Sequence, residues 1–141
     1  MALPNGSGGY QVGAGNLSEF VMGVAPAPAT ATSTATLTAA QLQTGLILGS
    51  PGSSAATYSL PTVANLEIAM PSARVGSTIE FSVINVDGSG GGVITIGTAT
   101  GWSVGSAGSQ GLMTVAATAG TAGRFLGRKT GDGTWSLYRL A

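Results

Sequence analysis

The sequence predicts an all-β chain: a small sandwich or jelly-roll-like domain with one short helix and an extended N-terminal arm. Three observations predict it. Short apolar runs with a period of two recur along most of the chain, separated by Gly- and Ser-rich turns. Helical spacing is sustained beyond one turn in a single stretch, "TVANLEIAM". The leading residues carry no apolar rhythm and are punctuated by Gly6, Gly8, Gly9, Gly13 and Gly15. The division drawn from this is an extended arm over 1–33 and a β-rich domain over 34–141.

Within the first zone, "APAPATATSTAT" holds Pro26 and Pro28, which favour an extended chain and forbid a helix. The Thr/Ala alternation after Pro28 suits a strand. "ATLTA" then reads as a strand leading to a helical turn at "AAQLQ", stopped by Gly45. "GLILG" is a buried-strand candidate, "SPGSSAA" is turn chemistry, and "TYSL" is a strand ended by Pro61. The helix follows: Thr62 caps it, Val63, Leu66 and Met70 recur at helical spacing, and Pro71 stops it. In "STIEFSVINV", Ile79, Phe81 and Val83 alternate with Thr78, Glu80 and Ser82. "DGSGGG" and "VITIG" are read as the turn and return strand of a hairpin with it. "LMTVA" is a further strand, and "GRFLGRKT" and "TWSLYRL" flank "GDG" as the last hairpin. The expectation is seven to nine strands. No repeat of fixed period is evident, which argues against a solenoid.

Composition narrows the function. Of 141 residues only 7% are charged, with five basic and five acidic side chains and a formal net charge of zero. That lacks the basic excess phosphate binding needs, so no nucleic acid is expected as a partner. The charge-free stretch from Phe20 to Glu67 is broken by Thr, Ser, Gly and Pro, so no membrane span is expected. A near-neutral surface lacks the repulsion that keeps copies apart, which suits life in an assembly.

Catalytic chemistry has little to build on. Histidine and cysteine are absent, which removes imidazole and thiolate metal ligands and His-based triads. The lone lysine, Lys129, sits beside a turn and is expected to be solvated. Glu80 is expected to face away from the core, and Asp87 and Asp132 to serve "DG" turns. The glycine clusters complete neither a phosphate loop nor a dinucleotide fingerprint. No catalytic, cofactor-binding or metal-binding residue is predicted, no cofactor is expected, and the chain is read as not an enzyme. Trp102 and Trp135 are weighed as sugar platforms and read instead as packing residues. Arg124, Arg128 and Arg139 gather on the last hairpin; arginine suits interface carboxylates, so they are the candidate oligomer or coat contacts.

The segments "NGSGGYQVGAGNLSEF", "ATATLTAAQLQTGLILGSPG", "ATYSLPT", "VGSTIEFSVINV" and "RFLGRKTGDGTWSLYRL" resemble small structural proteins of tailed bacteriophages, of the head decoration (cement) type. The resemblance implies a homotrimer on the outer capsid surface of a virion, made in the bacterial host cytoplasm. There it would bind the major capsid protein and bridge coat subunits. The alternative is a tail-fibre or receptor-binding β module that recognises a host glycan.

The arm then acquires a task. Thirty extended residues reach roughly 100 Å, beyond a single small domain. Ordering ~25 of them costs roughly 25–50 kcal/mol, which apolar burial offsets only over about 1,000–2,000 Å². Only a sizeable interface supplies that. Tyr10, Asn16, Leu17 and Phe20 are the predicted capsid-interface residues of the arm.

Overall fold

A computed structural model describes residues 23–87, 89–106 and 108–141. These residues form two sheets and two short helices. The first sheet has the order β1–β3–β5–β9–β10–β7: Ala29–Thr32, Leu46–Ser50, Thr78–Asn85, Ala122–Gly131, Thr134–Arg139 and Trp102–Ser103. The second has the order β2–β4–β6–β8: Ala35–Thr36, Ala56–Ser59, Ile94–Gly97 and Thr114–Val115. Helix α1 spans Ala39–Gln43 and α2 spans Val63–Ala69.

The order of these elements reveals a wound chain. Strands β1, β3 and β5 run parallel in the first sheet, and β2, β4 and β6 run parallel in the second. The chain visits the sheets alternately, completing one circuit per strand pair. Helices α1 and α2 make the return from the second sheet to the first at the end of the first two circuits. Both returns begin alike. Thr38 accepts a hydrogen bond from the Gln41 amide and Thr62 accepts one from the Asn65 amide. Four residues after each threonine comes a fully buried leucine, Leu42 and Leu66. Gly45, at φ 76°, ends the first return.

Two sequence expectations are corrected here. The hairpin between "STIEFSVINV" and "VITIG" does not form: β5 lies between β3 and β9, and β6 crosses to the second sheet between β4 and β8. Both neighbours of β5 are taken, so the chain passes to the other sheet before its next strand. Residues 29–32, assigned to the arm, already belong to the first sheet as β1.

The two sheets share one core. The first contributes Ala31, Ile47, Phe81, Val83, Phe125, Trp135 and Leu137, and the second Ala56, Tyr58, Ile94, Ile96 and Val115. Phe81 and Phe125 stack at 5.5 Å between ring centroids. Tyr58, on β4, reaches across to donate its hydroxyl to the Ala31 carbonyl of β1 at 2.9 Å. Burial pushes the phenol above its ordinary pKa, so it remains a donor. Asn85, buried on β5, donates to the Gly92 and Ala116 carbonyls at 2.9 Å each and so holds two loops.

Gly49 is a point of close approach between the sheets. A Cβ there would stand 2.6 Å from Ile94 Cδ1 and 2.8 Å from Tyr58 Cε2. Gly49→Val is expected to lower unfolding stability by about 1–3 kcal/mol through overpacking. Urea unfolding of the variant beside the wild type measures this; an unchanged midpoint would show that the sheets can separate freely.

Candidate functional site

Among the described residues, polar or exposed chemistry stands at an interior ion pair and on the outer faces of the two sheets. The ion pair corrects an expectation. Lys129 is buried, not solvated, with 7% of its surface exposed. It shares a face of β9 with Phe125 and Gly127, and pairs in register with the buried Trp135. Its ammonium meets Glu67 Oε1, from α2, and Trp135 Nε1 donates to the same oxygen at 3.0 Å. The signal was present in sequence as the period-two series Phe125, Gly127, Lys129; proximity to a turn concealed it.

This triad binds α2 to the last hairpin. Its lysine already faces a carboxylate, and no hydroxyl nucleophile is hydrogen-bonded to it among the described residues. Donation from Lys129, then from Trp135, holds the Glu67 carboxyl below the usual carboxylate range.

The outer face of the first sheet mixes apolar and charged side chains, with Ser82, Arg124 and Glu80 in its middle rows. The ladder places Leu48 beside Ile84, and Glu80 beside Leu126, which pairs on its other side with Tyr138. Leu46, Leu48, Ile84, Leu126 and Tyr138 are all half-buried, opposite in parity to the core residues. Arg124 Nη2 meets Glu80 Oε1 at 2.8 Å, both side chains being about half exposed. Such an open pair adds little stability. Arg128, exposed beside Thr78 and Ser136, has no side-chain partner among the described residues.

The second sheet is different. Its outward rows are Thr57, Thr95 and Thr114, then Thr36, Ser59 and Gly97. No charged and no large apolar side chain stands in them. Sequence alternation placed Thr78, Glu80 and Ser82 opposite the core face of their strand; it did not disclose that the second sheet would gather the hydroxyls.

The three predicted arginines separate. Arg124 and Arg128 lie on the outer face of the first sheet. Arg139 lies on the opposite side, its guanidinium 5.7 Å from the centre of the Phe125 ring. It donates to the carbonyls of Ala141 at 2.8 Å, Leu112 at 3.2 Å and Thr114. Those bonds fasten the segment before β8 to β10. Trp135 is buried and Trp102 is half-buried, with its Nε1 donating to the Pro61 carbonyl at 2.8 Å. Their rings lie 5.9 Å apart. Burial leaves Trp135 no free face for a sugar. Tyr10, Asn16, Leu17 and Phe20 fall outside the described residues.

Among the described residues no cluster of three or more His, Cys, Asp or Glu is placed to hold a metal ion. No helix among them is long and apolar enough to cross a membrane. No family model matches the sequence, and neither a curated protein nor a solved structure matches it.

The Glu67 contacts set an acid dependence. A carboxyl lowered on folding contributes fully above its unfolded-state value of about 4.3, and the contribution is lost as pH falls through the lower folded value. Wild-type stability in urea is therefore expected to fall more steeply than that of Glu67→Gln between about pH 5 and about pH 3. Parallel slopes for the two proteins would remove the charged form of Glu67 from the account.

Proposed function

We propose that this protein is a bacteriophage capsid decoration (cement) protein, a homotrimer that binds the outer surface of the head and bridges neighbouring coat subunits. The body is read as a small β-sandwich whose first half is wound, and the residues before β1 as the arm that reaches a neighbouring subunit. The observation that carries the reading is the outer face of the first sheet. Leu46, Leu48 and Ile84 on one side and Leu126 and Tyr138 on the other flank the open Arg124–Glu80 pair on this face, giving it mixed apolar and charged chemistry. A net charge of zero adds nothing to hold copies apart.

In this mechanism the sheet supplies a pre-formed, rigid surface with small ordering costs. Arg128 stands at its rim with its guanidinium available for a partner's carboxylate. The arm adds area at a distance from the body, and the two attachments raise each other's effective concentration. A protein that binds only the assembled shell shifts the equilibrium towards that shell by mass action. The work required is adhesion, which agrees with a chain that has no histidine or cysteine.

Two experiments test it. Deleting residues 1–24 is expected to leave the circular dichroism and thermal transition of the β body intact and to abolish co-sedimentation with phage heads; full occupancy by the shortened chain would remove the arm from the mechanism. Leu126→Glu is expected to weaken self-association or head binding by about tenfold or more, as truncation at the centre of an interface does. Analytical ultracentrifugation and head binding read both effects, and an unaltered trimer with unaltered binding would exclude this face.

A further inference from the structure

The parallel winding brings three strand ends to one level. Thr36, Ser59 and Gly97 are the last residues of β2, β4 and β6 and stand in a single row of the ladder. Beyond that row the three chains diverge. One enters α1, one enters α2, and one enters the segment around Thr98 and Ala99. The divergence leaves a cleft of about 560 Å³, within the size range of small-molecule sites. Parallel sheets commonly bind ligands outside the carboxyl ends of their strands, for this geometric reason.

The chemistry of the cleft is specific. The hydroxyls of Thr36, Ser59 and Thr98 and the carboxamide of Asn65 line it, and none has a hydrogen-bond partner among the described residues. The Thr38 and Thr62 hydroxyls are engaged as helix caps. Between these groups the accessible apolar surface comes from Ala39, Ala40 and Ala99, with Leu37, Leu60 and Pro61 buried behind it. None of the charged side chains lines it.

From this we infer that the cleft is a binding site for a neutral polyol, a sugar ring in the pyranose size class. Its hydroxyls would pair with Ser59, Thr98 and Asn65, and its C–H face would lie against the alanines Ala39 and Ala99. The alternatives fail on the same residues. A phosphorylated or carboxylated ligand would meet no cation. A wholly apolar ligand would strip water from three hydroxyls and a carboxamide without replacing their hydrogen bonds. A peptide strand would find the ladder continued inward, because the Leu37 amide donates to the Ser59 carbonyl and the Leu60 amide to that of Gly97, each at 2.8 Å. The absence of an aromatic platform from the lining sets the affinity in the millimolar class. The site is independent of the attachment face, which lies on the other sheet.

The test is a titration of the full-length ¹⁵N-labelled protein, followed by amide shifts. The probes are the methyl glycosides of glucose, galactose, mannose and N-acetylglucosamine, with glucose 6-phosphate and hexanol as charged and apolar comparators. The expected result is saturable shifts at Leu60, Asn65 and Ala99 with at least one neutral glycoside. Asn65→Leu and Ser59→Val, each with an otherwise unchanged spectrum, are expected to weaken that binding by about tenfold. Should one variant fail to fold, the other and Thr98→Val carry the measurement. No saturable shift up to about 100 mM, shifts that map elsewhere, tighter binding of either comparator, or variants that bind as the wild type does would overturn the inference.

Discussion

Tyr58 crosses the interior from one sheet to hydrogen-bond the backbone of the other, and it can do so only because Gly49 leaves the space beside its ring open. The row beneath it is Ala31, Gly49 and Asn85, small or polar residues on three adjacent strands. Larger side chains there would drive the sheets apart and strand the phenol without its partner, at the cost of an unsatisfied buried hydroxyl. The core elsewhere is filled by the aromatic stack of Phe81 on Phe125 and by Trp135. Both helices close circuits over this arrangement, and each does so by capping with threonine and burying one leucine.

Much of this was legible in the residues. The strand at 78–85, the last hairpin, the helix at 63–69 and its Thr62 cap all follow from local period and local chemistry. What was not legible is which strand neighbours which. Ile94 and Ile96 alternate in the same way whether β6 returns beside β5 or crosses to another sheet, so the pattern fixes the buried face and leaves the partner open. The circuits were hidden for a related reason. "LTAAQL" and "LPTVANL" are two versions of one return, offset by an inserted proline and separated by loops of different length. Lys129 shows the limit of reading charge as exposure: its carboxylate partner lies 62 positions away, and only the fold brings them together.

The outer faces explain why a chain so poor in charge can still present two distinct surfaces. Parity decides which residues face outward, and sheet membership decides which outward residues gather. The first sheet collects leucines, isoleucine and arginine; the second collects threonine and serine. Neither collection is visible along the sequence, because neighbouring positions in a sheet come from circuits far apart in the chain. The central strands of such a face are held by a ladder on each side, and a backbone held in this way keeps the entropic cost of association low.

The winding also has a consequence for how such a chain can vary. Strands β1 and β2 are the outermost strands at the same end of their two sheets, so the first circuit stacks on only one other. Stacked units of this kind contribute to stability through their nearest neighbours. A lineage could therefore gain or lose a whole circuit at that end, lengthening or shortening the molecule by one strand in each sheet. The aromatic core and the closing hairpin would be left where they are.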